Sequence, residues 1–336
     1  MYTDDDLSNA VEQGIFSDNS VQQFRHYIAK SKNTNLVDEE NFRLISGFND
    51  IFVMIASGLL LVSVAWLGTT IEPWLGALAC SAVSWGLAEF FVRQRRMALP
   101  AIGLLLTFLG GIFVMPILFN DFAQQNVAES SIVISGILTA LAACLHWWRF
   151  KVPITVAVGT AASVVCVLAI IVSVLPAALS ILLPLIFIGG LVTFFIAMIW
   201  DSADRKRQTR RADVAFWLHL VSAPMIVHPI FAALGILSGV ESVGSSLFVI
   251  GLYLILAFIS IAVDRRAIMV SALVYVVYAF SSLLDNYGML SYSFAITGLC
   301  IGATLLILSA FWHQSRKNVL RLVPEILLLR LPELKV

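Results

Sequence analysis

The feature that most constrains this chain is a series of long apolar runs between residues 51 and 312. The hydrocarbon core of a bilayer is about 30 Å thick, so a helix that crosses it needs roughly 20 mostly apolar residues. Because lipid offers no partner for backbone polar groups, runs of this length must be helical. Hydrophobic residues make up 60% of the chain and charged residues only 12%, which excludes an ordinary soluble domain. The sequence therefore predicts an all-α, polytopic integral membrane protein.

The apolar runs predict about ten transmembrane helices. Their bounds are 49–68, 73–92, 97–118, 131–148, 152–173, 179–200, 213–236, 245–263, 267–284 and 290–312. Around this transmembrane domain (49–312), the sequence predicts a cytoplasmic N-terminal helical region (1–48) and a cytoplasmic interfacial tail (313–336). The N-terminal region has two or three short helices, the third at 39–46, which bury little core alone. We expect it to pack on the bundle or to bind a protein partner.

The positions of the basic residues test the number of spans. All 21 Lys and Arg residues fall in the N-terminal region, in the tail, or in the connectors after spans two, four, six and eight. The alternate connectors contain none. The positive-inside rule makes the basic side cytoplasmic, which places both termini of this multi-pass protein inside. Partners are the lipid bilayer and anionic lipids at the cytoplasmic face, which attract each Lys or Arg by about 1 kcal/mol.

Ionisable residues are concentrated where spans six and seven meet, in WDSADRKRQTRRADVAFWLHLVSAPMIVHP (200–229). Asp201 and Asp204 are three residues apart, so they share a face if the helix continues. Asp213 begins the seventh span. One interpretation is a cytoplasmic turn whose carboxylates pair with its own arginines. The alternative interpretation is a functional site.

Three ionisable residues lie inside predicted spans, where such groups are candidate functional residues. His219 and His228 lie in span seven, nine residues apart, so an ideal helix directs them to opposite sides and they make a poor metal pair. Either histidine could instead hydrogen-bond a neighbouring helix. Glu89 lies one turn from the end of span two, where it either pairs locally with Arg93 or faces a transport pathway.

Two prolines, Pro224 and Pro229, also lie in span seven. Each removes a backbone donor and clashes with the carbonyl four residues earlier, so we expect both to break the helix. A broken helix would free carbonyls near Leu220 and Met225. Many transporters expose backbone polar groups to a solute or ion in this way.

Two stretches, AEFFVRQRRMALP (88–100) and the residues 200–229, resemble uncharacterised polytopic inner-membrane proteins of bacteria, a domain of unknown function with a short N-terminal helical region. The resemblance implies a bacterial inner-membrane protein. No activity is assigned to that group, so the resemblance implies no functional residue.

Three functional hypotheses follow. Ten spans, short loops and few ionisable residues favour a secondary transporter or permease for a small apolar or amphipathic solute. The second hypothesis is a membrane scaffold or sensor that uses the N-terminal helices. The third is an inner-face lipid-modifying enzyme that uses Asp201, Asp204, Asp213 and His219. In it, two carboxylates three residues apart, together with the arginines of the turn, hold a metal and a diphosphate.

Several classes of function lack support in the sequence. There is no HxxxH, GxSxG or P-loop motif, so we expect no enzyme and name no catalytic residue. The four cysteines all lie within predicted spans, without disulfide or metal-ligand spacing. We therefore predict no metal, no cofactor and no nucleic-acid partner. An inverted five-plus-five repeat fits the number of spans but is not visible in the residues.

Overall fold

The computed structural model describes residues 4–31, 48–122, 129–205, 207, 209–234, 243–286, 293–328 and 331–332. Every regular element within these ranges is helical. In the same ranges nine helices are long and apolar enough to cross a membrane, and a bent pair near the C-terminus would make a tenth crossing. The prediction of an all-α polytopic membrane protein is confirmed. The cytoplasmic placement of the termini and the identity of the membrane stay predictions.

The chain divides into two compact units, Met1–Asn41 and Phe42–Val336. The first unit contains two short helices, α1 (Asp4–Glu12) and α2 (Asp18–Ser31). The third short helix predicted at 39–46 lies outside the described residues. The protein partner expected for the N-terminal region stays a prediction.

The second unit contains the long apolar helices. These helices are apolar on all sides, which is typical of a helix surrounded by lipid and by other helices. Their bounds agree with the ten predicted spans to within a few residues. They are α3 (Phe48–Thr69), α4 (Pro73–Ala88, continued by a π-helical turn, Glu89–Gln94), α5 (Ala98–Phe122), α6 (Glu129–Phe150), α7 (Ile154–Val174), α8 (Leu182–Ser202, preceded by a 3-10 turn, Pro176–Ile181), α9 (Arg210–Ala233), α10 (Val243–Val263), α11 (Ala267–Asn286) and α12 (Ser293–Ala310).

Four turns of similar construction join α4 to α5, α6 to α7, α8 to α9 and α10 to α11. In each turn one residue other than glycine has a positive φ: Arg96 (54°), Lys151 (56°), Arg207 (52°) and Asp264 (62°). Arg96, Lys151 and Asp264 lie one or two residues beyond a helix, where a left-handed residue lets the following N–H groups bond back to the last carbonyls. Arg207 lies further into the longer α8–α9 turn, five residues beyond the end of α8.

The chain leaves α12 at a sharp bend. The next helix, α13 (Trp312–Leu320), makes an angle of 77° with α12 and is followed by a short helix, α14 (Glu325–Leu328). Trp312, Arg316 and Leu320 recur every four residues and form the buried face of α13. We call the end of the bundle formed by the four turns and α13 the basic side, because every described Lys and Arg from residue 48 onward lies there.

The prediction that Pro224 and Pro229 break the seventh span is wrong. Both prolines lie inside one continuous helix, α9. A Cβ atom added to Gly190 of α8 would lie 2.9 Å from the Cβ of Met225, so the two helices are in close contact beside Pro224. Membrane helices tolerate proline where neighbouring helices support the surrounding backbone. The space beside the prolines on this side is therefore filled by α8.

Candidate functional site

Asp201 lies at the centre of a buried ion-pair network. Its Oδ1 accepts a hydrogen bond from Nη2 of Arg265 at 2.6 Å, and its Oδ2 accepts one from Nε2 of His219 at 2.9 Å. Asp201 belongs to the last turn of α8, His219 to α9 and Arg265 to the α10–α11 turn, so three elements meet at one carboxylate. The side chains of Asp201 and His219 are fully buried, and that of Arg265 is 2% exposed.

The arrangement compensates the burial of charge. A buried carboxylate is unfavourable unless it is paired and hydrogen-bonded, and Arg265 supplies both the charge and two N–H donors to Asp201. Nη2 of Arg265 also donates to the carbonyl oxygen of Ala212 at 3.1 Å. Because a carboxylate only accepts, Nε2 of His219 must be the donor in its bond to Asp201. The buried Nδ1 of His219 has no hydrogen-bond partner among the described residues.

Asp264 is the centre of a second buried ion-pair group, next to Arg265 in the chain. Its Oδ2 accepts a hydrogen bond from Nη1 of Arg207 at 2.9 Å and lies 3.2 Å from Nη1 of Arg316. Its Oδ1 accepts a hydrogen bond from the indole Nε1 of Trp312 at 2.8 Å. Burial, and then the nearby positive charge of Arg265, lower the pKa of Arg207. The guanidinium nevertheless remains charged, because arginine does not lose its proton in proteins.

We call two neighbouring ion-pair groups together the ionic cluster: Asp201, His219 and Arg265 form one group, and Asp264, Arg207 and Arg316 form the other. The two groups meet at Asp264 and Arg265, which are consecutive in the chain. The cluster joins α8, α9, the α8–α9 and α10–α11 turns and α13 on the basic side. Both carboxylates already accept from two or more donors, so neither presents a free face to a metal or a substrate. Within the described ranges, no group of three His, Cys, Asp or Glu side chains could hold a metal ion. The cluster is suited to fastening helices together.

Asp204 and Asp213 have different surroundings from Asp201. Oδ2 of Asp204 accepts hydrogen bonds from the backbone N–H and the hydroxyl of Thr209, at 2.8 and 2.7 Å, just before α9 begins. Asp213 lies in the first turn of α9, where the helix dipole favours a carboxylate. The structure therefore does not gather these three carboxylates into the metal and diphosphate site that the enzyme hypothesis needs.

Glu89 forms a separate ion-pair site on the basic side. Its two carboxylate oxygens accept hydrogen bonds from Nε and Nη2 of Arg149 in α6, at 2.7 and 2.9 Å. The local partner expected from the sequence, Arg93, is also present at 3.3 Å. The Glu89 side chain is 30% exposed and that of Arg149 is 33% exposed, so this pair lies partly at the surface of the bundle.

His228 lies apart from the other intramembrane ionisable residues. Its Nδ1 contacts the hydroxyl of Tyr275 in α11, and its side chain is exposed on the surface of the bundle. His219 instead faces the interior beside Asp201. Glu89, His219 and His228 therefore occupy three separate places and do not line one polar pathway.

Most of the ionic cluster does not stand out in the sequence. Arg207, Arg265 and Arg316 have the same spacing as the other basic residues that determine topology, and nothing local shows that their side chains turn inward. The sequence signal for this ion-pair group is Asp264, because an acidic residue at the start of a basic turn indicates that arginine partners lie close to it. Trp312 is the last residue of the tenth predicted span, and nothing in the sequence predicts a hydrogen-bond partner for its indole N–H.

A cavity of about 170 Å³ lies between α10, α11 and the α12–α13 junction. Its walls are mainly apolar and include Met269 and Leu273. Arg266 stands on one wall, where its Cζ lies 4.7 Å from the centre of the Trp312 ring. The hydroxyl of Tyr253 is buried in another wall and has no hydrogen-bond partner among the described residues. The cavity thus combines apolar space with a positive charge and an unused hydroxyl.

The ionic cluster and the cavity differ in what they offer a ligand. The polar groups of the cluster bind one another, whereas the cavity has space and a hydroxyl group, that of Tyr253, without a hydrogen-bond partner among the described residues. The cavity is therefore the candidate binding site. Comparison with known proteins found no matching family model, no matching curated protein and no matching solved structure.

Proposed function

We propose that this protein is a secondary transporter or permease for a small amphipathic solute, which binds in the cavity between α10, α11 and α12. The observation that supports the proposal is the composition of the cavity wall, which is apolar except for a guanidinium and hydroxyl groups. Binding sites for small molecules commonly pair apolar walls with a few polar groups that orient the ligand. An apolar body would fill the cavity while a polar or anionic end reaches Arg266 or Tyr253.

The size and chemistry of the cavity indicate the class of solute. Its volume of about 170 Å³ is close to that of the engineered cavity of about 150 Å³ that binds benzene. The apolar part of the solute would therefore be about the size of one aromatic ring. A buried hydroxyl without a partner costs about 1–3 kcal/mol, so an acceptor on the solute that bonds Tyr253 would stabilise the complex. A small aromatic or short-chain carboxylate has these properties.

The packing of α12 supports movement of one cavity wall. Among the described residues α12 packs mainly against α11 and has little contact with any other long helix, whereas α5 packs against α3, α4 and α6. A helix with one main neighbour shifts more easily than a helix that is packed on three sides. Displacement of α12 would open the cavity and let the solute pass.

We propose, in addition, that the protein lies in a bacterial inner membrane with its basic side toward the cytoplasm. The support for this orientation is the absence of Lys and Arg from the alternate connectors, because positively charged loops remain on the cytoplasmic side. The resemblance of residues 88–100 and 200–229 to bacterial membrane proteins supports the choice of membrane.

Uptake into proteoliposomes tests the proposal directly. The purified full chain would be reconstituted and offered a panel of radiolabelled aromatic and short-chain carboxylates. The substitution Leu273→Trp places a large side chain in the cavity, so we expect uptake to fall to the level of protein-free liposomes. Val274→Trp is the matched control, because Val274 is the next residue and its side chain is 69% exposed on the outside of the bundle. We expect this variant to keep wild-type uptake.

Calorimetric titration of the same carboxylates separates binding from transport. We expect the wild-type protein to bind at least one of them and the Leu273→Trp variant to bind none. Arg266→Gln should weaken binding about tenfold, because it removes the charge that faces the carboxylate. Binding without uptake would favour the sensor over the permease. Neither binding nor uptake across the panel would refute the proposal.

A further inference from the structure

A second recess lies on the basic side, apart from the cavity between α10, α11 and α12. It has a volume of about 630 Å³ and is bounded by α13, by the segment that follows α13 and by Arg205. We propose that this recess binds the phosphate headgroup of an anionic phospholipid. The inference does not depend on the proposed transport activity, because none of the residues that line the recess lines the transport cavity.

Positive charges line the recess on both sides. Lys317 and Arg321 are four residues apart at the end of α13, so they project from the same side of the helix, and both side chains are exposed. On the opposite wall Arg205 donates from Nε to the carbonyl oxygen of Leu331 at 2.9 Å and from Nη2 to that of Leu328 at 3.3 Å. Arg205 therefore holds the tail in place and contributes a third charge.

The described residues that line the recess include these three cations and no carboxylate. A phosphodiester is an acceptor on all sides, and it can bond an ammonium and a guanidinium at the same time. The charge of the recess is therefore complementary to a phosphate group.

Apolar side chains beside the cations favour a lipid over a soluble phosphate compound. Leu320 and Leu328 line the recess itself. At the two ends of α13, Phe311 is 62% exposed and Leu322 is 75% exposed. In this proposal the apolar helix α12 crosses the membrane, and α13, which turns from it by 77°, lies along the membrane surface. At that level its cations meet headgroups and its apolar side chains meet acyl chains, as in interfacial helices.

The test measures lipid binding to the purified full chain by native mass spectrometry, with phosphatidylglycerol and phosphatidylcholine as probes. The variant Lys317→Gln/Arg321→Gln removes two charges from the recess and leaves the structural contacts of Arg205 in place. The matched control is Arg210→Gln/Arg211→Gln, which removes two exposed charges from the start of α9, also on the basic side. Both variants therefore change the net charge of the basic side equally.

We expect the wild-type protein to bind phosphatidylglycerol at least tenfold more tightly than phosphatidylcholine. The recess variant should lose roughly thirtyfold in affinity for phosphatidylglycerol and the control less than about threefold. If the double variant is unstable, Arg321→Gln alone tests whether the recess charges bind the lipid. We expect its affinity for phosphatidylglycerol to fall about fivefold.

Three results would overturn the inference. Equal losses in the recess variant and the control would mean that the overall positive charge attracts the lipid. Equal affinity of the wild-type protein for the two lipids would mean that the recess does not recognise the negative charge of phosphatidylglycerol. Displacement of phosphatidylglycerol by inorganic phosphate would assign the recess to soluble phosphate compounds.

Discussion

Two ion pairs on the basic side have corresponding positions in the chain but different surroundings. In each pair a carboxylate near the end of one span meets an arginine near the end of the span that lies two further on. Glu89 pairs with Arg149 at a separation of 60 residues, and Asp201 pairs with Arg265 at a separation of 64 residues. The first pair joins α4 to α6, and the second joins α8 to the α10–α11 turn.

The two pairs differ in burial and in the number of additional partners. Glu89 and Arg149 are about one-third exposed, whereas the side chains of Asp201 and Arg265 are almost completely buried. The buried carboxylate also accepts a hydrogen bond from His219. An exposed ion pair contributes about 0–1 kcal/mol, but removal of one partner from a buried pair costs about 3–5 kcal/mol. The comparison teaches that burial determines how much stability depends on the pairing.

The largest effect is expected from Asp201→Asn. The substitution keeps the shape of the side chain and removes its charge, so the buried guanidinium of Arg265 loses its counterion. We expect the free energy of unfolding to fall by about 3–5 kcal/mol. The measurement is denaturant unfolding of the purified protein in detergent, followed by circular dichroism.

A double variant shows whether the lost stability comes from the unpaired charge. Asp201→Leu combined with Arg265→Met removes both charges and leaves apolar side chains of similar size. Its stability should lie well above that of Asp201→Asn, because apolar replacement of a whole buried pair is often neutral. If the double variant is the less stable of the two, the stabilising role lies elsewhere in the ionic cluster.

An intermediate effect is expected from His219→Phe. Phenylalanine fills a similar volume but cannot donate the hydrogen bond to Asp201, whose carboxylate keeps both bonds from Arg265. We expect a loss of about 1.5–3 kcal/mol in the free energy of unfolding, the usual contribution of a hydrogen bond to a charged group. A loss as large as that of Asp201→Asn would show that the imidazole shares in balancing the charge.

The positions of the helices could be predicted because they depend on local composition. A run of apolar residues long enough to cross the bilayer is helical whatever its neighbours are, and the bounds of α3 and α7 follow directly from the sequence. The prediction that Pro224 breaks the helix is wrong because the outcome depends on the packing beside it, where Met225 contacts Gly190 of the neighbouring helix. The low helix propensity of proline gives no information about such a contact between helices.

The candidate sites were less predictable, because they depend on the direction in which a side chain points. Asp201 and His219 stand out in the sequence as ionisable residues at the end of or inside a span, whereas Arg265, their partner, has the spacing of a residue that determines topology. The arginine lies 64 residues from Asp201, and the sequence between them places no constraint on the pairing. The cavity that contains Tyr253 depends on the separation of three helices, so no sequence pattern marks it.

The smallest effect is expected from Glu89→Gln, which removes the carboxylate of the more exposed ion pair, Glu89–Arg149. Because Arg149 is one-third exposed at the basic end of the bundle, its guanidinium is not enclosed in an apolar interior, and the free energy of unfolding should fall by no more than about 1 kcal/mol. The difference from wild type should shrink between about 0.05 M and about 1 M salt, since ions screen exposed charges. The loss caused by Asp201→Asn should stay constant over the same range, because salt does not reach the buried pair. A salt-independent loss above about 2 kcal/mol for Glu89→Gln would show that this pair also acts as a buried one, and the distinction between the two regions would then fail.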